Sequence, residues 1–281
     1  MIKIVTDSTC DLPSGLLQRH DILVVPVIIQ FGMETYEEGI TIDQASFYRK
    51  VDELGIIPTT SQPSAGRFAQ VYREIAAEGA ETILSIHVTA KLSGTYQSAE
   101  LARQMVAEEV TVHPFDSACG SAGLGFMALE GARMAKAGES ATSILQRWEE
   151  IQARMNILFT MANLRYAMMS GRVGRLQSTL ASLLNVKPIV ALEDGLLDVV
   201  GQVRTRKRAL ERILALMEEA VGTTEAVNLA VVHAEALQEG QKLLERARQM
   251  FNCQETFIED LAISLAVHFG PGTLGLIAYR V

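Results

Sequence analysis

The sequence predicts an α/β protein of two parts, an N-terminal domain on a helix-covered parallel sheet and a C-terminal α+β domain with a mixed or antiparallel sheet. Three observations carry that reading. In the first half, short β-branched apolar runs alternate with segments of helical period, the pattern of a parallel sheet buried under helices. In the second half, Asp194-Gly195 separates two apolar runs, the signature of a hairpin turn. No repeat, low-complexity run or Ser/Pro-rich linker separates the halves, so the boundary is compact. It is placed near residue 155, giving domains 1–155 and 156–281.

Along the first half, residues 2–6 and 22–30 read as strands rich in β-branched side chains. Residues 64–78 put Phe68, Val71 and Ile75 on one helical face, with Ser64 as the cap after Pro63. Segments 82–88 and 110–115 are strands. Segments 93–107, 122–136 and 141–155 are helices. In the second half, 187–192 and 196–203 form the hairpin, and 205–221 is an amphipathic helix whose apolar face is Leu210, Ile213, Leu214, Met217 and Val221. A strand at 227–233, a helix at 236–251 and three strand-like runs complete the chain.

Composition excludes several functions. The 281 residues are 48% hydrophobic and 21% charged, an ordinary globular balance. A net charge of −8 argues against the basic footprint of a nucleic-acid or anionic-membrane binder. Cys10, Cys119 and Cys253 are an odd number with no CxxC pair, and read as reduced, buried thiols of a cytoplasmic protein. Asp7 and Asp11 interrupt the N-terminus before a secretory apolar core can form. The uncharged stretch 261–279 is long enough to span a membrane, but Gly270-Pro271-Gly272 breaks it. It reads instead as two strands joined by a tight turn.

Two glycine patterns imitate dinucleotide fingerprints. Gly270 to Gly275 fits GxGxxG but precedes a terminal strand, so no helix N-terminus is present to hold a pyrophosphate. Gly123 to Ala128 fits GxGxxA but falls inside a predicted helix. There is no Walker A sequence, HExxH or GxSxG elbow. The histidines His20, His87, His113, His233 and His268 show no ligand spacing, so no metal is expected. What remains is a set of hydroxyls in loops after strands: Asp7-Ser8-Thr9, Thr59-Thr60-Ser61-Gln62-Pro63-Ser64, Leu92-Ser93-Gly94-Thr95 and Asp116-Ser117. Such loops gather at the carboxyl edge of an open α/β sheet, where hydroxyls and N–H groups suit a carboxylate or phosphate oxygen. Helix capping explains any one of them better, and the four together about equally well.

Together with Ser170-Gly171-Arg172, Lys187-Pro188-Ile189, the basic run from Val203 to Arg208, and His268 to Gly272, these segments resemble the DegV family, in its order and along nearly the whole chain. The resemblance implies a two-domain α/β protein that binds one long-chain fatty acid between its domains, in a buried tunnel. It further implies the acyl-binding subunit of bacterial fatty acid kinase, with a separate kinase phosphorylating the bound carboxylate. On this reading the chain is no enzyme itself; ATP and metal belong to the partner.

The matching head-group residues are Thr60 or Ser61, Ser93 with Gly94, Arg172 and His268, the last placed in the glycine turn. The resemblance also implies a kinase contact through an arginine of the basic run, Arg206 first and Arg204 second; arginines at a helix start oppose its dipole and have no simple stability role. Met168-Met169 and Gln202 stand where the family often has Lys, which thins the basic surface. The protein is expected to be a cytoplasmic monomer that binds neither nucleic acid nor membrane. The rival reading is a small-molecule hydrolase or transferase using Ser93 as nucleophile and His268 as base. Chain length, unsaturation preference, tunnel lining, kinase identity and the fate of the acyl-phosphate are not specified by the sequence.

Overall fold

The computed structural model describes residues 1–170 and 186–281. It is an α/β fold of two compact units, the first formed by 1–152 with 262–264, the second by 153–261 with 265–281. Arg172 lies outside the described residues.

The first unit is built on a four-stranded parallel sheet of β1 (Ile2–Asp7), β2 (Ile22–Val25), β6 (Thr82–His87) and β7 (Thr111–Asp116), in the order β2-β1-β6-β7. Helices α3 (Ala65–Ala77) and α4 (Thr95–Met105) pack on one another, and their apolar residues join those of the sheet. Phe68, Tyr72, Ile75, Ala99 and Ala102 close a core with Val5, Val25 and Ile83. Helix α5 (Ser121–Lys136) packs against β1, β2 and β6. Its GxGxxA match is therefore helix interior. Helix α6 (Ala141–Arg154) inserts Trp148, which donates from its indole N–H to the Met127 carbonyl at 2.6 Å.

The predicted strand 22–30 is two strands in the structure. Pro26 has no N–H to donate to a ladder, and the chain turns there from β2 into β3 (Ile28–Phe31). Strand β3 is the centre of a second, antiparallel sheet, between β4 (Glu34–Glu37) and β5 (Thr59–Ser61). Between β4 and β5 runs α2 (Gln44–Leu54), whose Phe47 ring packs on Phe31. A short helix, α1 (Ser14–Arg19), joins β1 to β2.

The second unit holds a six-stranded mixed sheet. Its strands are β8 (Asn156–Thr160), β9 (Lys187–Glu193), β10 (Leu196–Val203), β11 (Ala226–His233), β12 (Asn252–Asp260) and β13 (Leu274–Arg280). The order is β10-β9-β8-β13-β11-β12, antiparallel throughout except for β11 with β12. The hairpin at Asp194-Gly195 forms as predicted, both residues adopting positive φ. Helices α8 (Arg206–Val221) and α9 (Leu237–Met250) cover one core, where Ile213, Leu214, Met217 and Leu243 meet Leu229, Val231 and Leu276. A six-residue helix, α7 (Arg165–Ser170), follows β8.

The stretch 261–279 differs from its prediction. Residues Ile263–Phe269 form helix α10, so two strands with a helix between them end the chain where three strands were expected. The segment is only seven residues long and apolar apart from Ser264 and His268, too short for periodicity to separate helix from strand. Gly270, at φ 76°, ends α10 with its N–H on the Ala266 carbonyl at 2.7 Å, a left-handed cap that glycine adopts without strain. Among the described residues no helix is long and apolar enough to cross a membrane.

Candidate functional site

The order β2-β1-β6-β7 reverses direction at β1. The chain leaves β1 for β2 on one side and returns to β6 on the other, so the carboxyl ends of β1 and β6 form the switch point of the parallel sheet. The hydroxyl-rich segments at 7–9 and 89–95 follow these two strands.

Asp7 ties the two ends together. Its Oδ2 accepts the Val88 N–H at 3.0 Å and faces His87 Nδ1 at 3.1 Å; its Oδ1 accepts the Thr9 N–H at 3.1 Å and hydroxyl at 2.6 Å. Burial opposes ionisation of Asp7, but the His87 bond and charge, with the Thr9 and Val88 donors, hold its carboxyl below the usual range. Beyond it, His87 Nε2 pairs with Ser85 Oγ at 2.7 Å and Ser85 Oγ with the Tyr72 hydroxyl at 2.7 Å. The order Asp7–His87–Ser85 has the connectivity of a hydrolytic triad. It is sealed, however: all three residues are fully buried and the Ser85 hydroxyl is shared with Tyr72. The chain is a structural brace.

Two more buried carboxylates lie in this unit. Glu38 accepts from the Ser264 N–H at 2.9 Å, the Ser264 hydroxyl at 2.6 Å and the Ser8 hydroxyl at 2.5 Å. Burial pushes its carboxyl up to about 7 despite those bonds, and Asp7 adds to the rise. Asp11 accepts from the Ala262 N–H at 2.8 Å and the Ser121 hydroxyl at 2.5 Å. Sequence reading singled out neither as a buried acceptor, since each donor is remote in the chain.

The predicted donors fall as follows. Ser93 precedes α4, where its Oγ accepts the Thr95 N–H at 3.2 Å and pairs with the Thr95 hydroxyl at 2.8 Å. Capping is thus real, yet when Thr95 donates in that pair the Ser93 proton is free for another oxygen. Thr60 and Ser61 lie in β5, a strand where a loop was expected. Thr60 is paired with Ile29 and Ser61 with Ile28, so strand alternation turns the two hydroxyls to opposite faces. Thr60 shares the face of fully buried Ile29 and is half-buried; Ser61 is exposed. Ser64 caps α3, its Oγ accepting the Arg67 N–H at 3.1 Å. Asp116 Oδ1 accepts the Ala90 and Ala118 N–H groups, which fixes the ends of β6 and β7 and gives that carboxylate a local structural duty.

The segments of Ser61 and Ser93 meet through their neighbours. A Cβ built on Gly94 would stand 2.9 Å from Gln62 Nε2. No sequence signal couples Gln62 to Gly94.

His268, Arg204 and Arg206 belong to the second unit. His268 is half-buried in the last turn of α10, two residues before the Gly270 cap and not within the glycine turn as expected. Arg204 is exposed. Arg206 opens α8 and bonds Glu239 in the first turn of α9 at 3.2 and 3.4 Å. It therefore has a stabilising partner that the sequence did not reveal. Among the described residues no group of His, Cys, Asp and Glu could hold a metal ion, and the three cysteines are free.

Comparison with known proteins agrees with this architecture. The model of the DegV family matches residues 1–281. A DegV domain-containing protein of Halalkalibacterium halodurans is 35% identical over 99% of this chain and 98% of its own. Protein DegV of Bacillus subtilis is 33% identical over 98% of each. Among solved structures, a DegV family protein from Thermus thermophilus, described as fatty-acid binding, superposes with TM-score 0.90 at 35% identity, covering 100% of this chain and 99% of that one. The structure of Bacillus subtilis DegV, described as a fatty acid binding protein, superposes with TM-score 0.92 at 32% identity and covers 100% and 99%. On a likeness that runs from the first strand to the last, this chain belongs to the DegV family.

Proposed function

We propose that this protein binds one long-chain fatty acid, buries its tail in an apolar tunnel and presents the carboxyl group to a separate kinase subunit for conversion to acyl-phosphate. The observation that carries the lipid reading is the full-length likeness to the Thermus thermophilus protein described as fatty-acid binding. The tail supplies the affinity: burying a C16 chain at roughly 0.8 kcal/mol per methylene yields on the order of 11 kcal/mol before ordering costs. The carboxylate is the difficulty, because a buried charge without donors is costly.

Thr60, or Ser61 on the other face of β5, and Ser93 beside Gly94 are the hydroxyl donors of the first unit. Arg172 and His268 are the cationic or ring donors of this reading. The chain orients and desolvates the carboxyl; ATP and metal come with the kinase. Arg206 and Arg204 form its contact with that kinase, and the protein acts as a cytoplasmic monomer. Its free cysteines fit a reducing compartment.

The test is mass spectrometry of the purified protein, first native and then after solvent extraction. A co-purifying or added fatty acid retained at one to one without turnover supports the carrier. A protein that arrives empty and takes up no added fatty acid overturns it.

A further inference from the structure

Ser93 is tied to the loop after β6 through one peptide group, that between Thr89 and Ala90. Its carbonyl, on Thr89, accepts the Ser93 N–H at 3.1 Å and the Leu92 N–H at 3.2 Å. Its N–H, on Ala90, donates to Asp116 Oδ1 at 3.1 Å. A trans peptide is planar, with N–H and C=O on opposite edges, so fixing one edge fixes where the other points. Asp116 and the Ser93 backbone are therefore the two ends of one rigid relay, bonded at both ends.

The anchor is itself held. Asp116 Oδ1 also accepts the Ala118 N–H at 2.9 Å, and the Asp116 carbonyl accepts from Gln152 Nε2 at 2.9 Å. Ala118 stands at φ 50°, a left-handed backbone that is unfavourable for a residue with a Cβ. The next residue, Cys119, accepts the Thr89 N–H on its carbonyl at 2.8 Å. The strained loop after β7 thus holds the loop after β6. Asp116 opens no helix, so capping does not account for it. A backbone outlier kept at the carboxyl end of a strand is the kind of observation from which a functional role is inferred.

We propose that Asp116 is a positioning residue for the fatty-acid carboxylate: it fixes the Thr89–Ala90 peptide and so aims the Ser93 hydroxyl at the head group. This rests on the fatty-acid reading above. Without an acceptor at 116 the Ala90 N–H loses its partner, and the peptide can rotate and turn the Thr89 carbonyl away from the Ser93 N–H. Ser93 then keeps its bonds to Thr95 but loses the one that ties it to the loop after β6.

The experiment measures equilibrium binding of palmitic acid to the delipidated full-length protein in a double-mutant cycle. Ser93→Ala and Asp116→Ala are each expected to weaken binding about tenfold. In the Ser93→Ala background Asp116→Ala is expected to cost nothing further, because the hydroxyl it aims is gone. Asp116→Asn keeps an acceptor oxygen and is expected to bind as wild type does. Losses that multiply in the double variant reveal a general effect on the fold and overturn the positioning role. Normal binding by Asp116→Ala overturns it too, as does an Asp116→Asn variant as weak as the alanine one. If Asp116→Ala does not fold, Asp116→Ser takes its place in the same cycle; its shorter side chain keeps a turn with the Ala118 N–H and gives up Ala90. Ser93→Ala without loss overturns the positioning role and leaves the fatty-acid reading standing. A wild-type protein that takes up no palmitic acid overturns both, and is seen before any variant is made.

Discussion

At the carboxyl ends of β1 and β6 the first unit buries Asp7, His87, Ser85 and Tyr72 in one hydrogen-bonded chain, and it buries Asp11 and Glu38 nearby. The second unit, among its described residues, has an aliphatic sheet interior whose buried polar side chains are Thr160, Asn228, His233 and Thr273. The difference is one of charge. Asn228 Nδ2 donates to the Tyr279 hydroxyl at 2.9 Å, a bond between neutral partners. Asp7, Asp11 and Glu38 are each met by a backbone N–H together with a hydroxyl. The first unit thus already holds three carboxylates by the means a fatty-acid head group would require, backbone N–H groups and hydroxyls.

The largest expected effect breaks that contrast where it is strongest. Asp7→Ala leaves His87, the Thr9 donors and the Val88 N–H unpaired inside the unit, a loss of about 3–5 kcal/mol by analogy with breaking a buried ion pair. Tyr279→Phe removes one neutral bond in the second unit and should cost about 1 kcal/mol. Urea unfolding of both variants compares them; Asp7→Asn serves if the alanine variant does not fold. Equal costs would mean that charge does not distinguish the two interiors.

Proton linkage sharpens the same comparison, because the two units respond to pH with opposite sign. Glu38 has a folded value of about 7 against an ordinary 4.5, so its contribution to stability is full below 4.5 and is lost as pH rises through 7. Burial lowers His233 below its ordinary 6.5, with Asp260 opposing, so its contribution is full above 6.5 and is lost as pH falls through the lowered value. Glu38→Gln should therefore remove a decline of Tm between about pH 5 and 8, while His233→Gln should remove a rise at the acid end. Trp148, the only tryptophan, lies in the first unit and follows its unfolding by fluorescence. Parallel pH profiles for wild type and Glu38→Gln would show that Glu38 does not titrate in this range.

On the ligand side, Ser93→Ala should weaken fatty-acid binding by about 1–3 kcal/mol, the cost of one unpaired buried acceptor. Lipid exchange measures it. Unchanged binding would reduce Ser93 to the cap that its Thr95 bonds already describe.

The sequence made the parallel sheet and the hairpin legible because both leave local marks, β-branched runs between helical periods and an Asp-Gly pair between apolar runs. It misplaced elements where those marks fail. Ile263–Phe269 is seven residues with only Ser264 and His268 polar, so helix and strand look alike. Pro26 divides one apolar run into strands of two sheets. Thr59–Ser61 is a three-residue strand with no hydrophobic signal of its own. For the site, hydroxyl positions were visible as residue types after strands. Their faces were not: that Thr60 and Ser61 point apart follows from pairing with Ile29 and Ile28, a tertiary fact. The Gln62 contact on Gly94 and the Glu38 bonds to Ser264 join residues far apart in the chain, beyond any local pattern.

The smallest expected effect on the fold belongs to Arg206, and it separates a structural duty from a functional one. Its bond to Glu239 joins partly exposed side chains, 21% and 46% accessible, so losing it should change stability by no more than about 1 kcal/mol. Arg206→Ala and Glu239→Ala abolish the same ion pair, but only the first removes the cation proposed to meet the kinase. Both variants should therefore bind fatty acid as wild type does and unfold alike. With a cognate kinase, acyl-phosphate formation should fall for Arg206→Ala and persist for Glu239→Ala. A common loss would assign the effect to the ion pair and its orientation of α8 against α9; no loss in either would leave Arg206 a surface cation and return the kinase contact to Arg204.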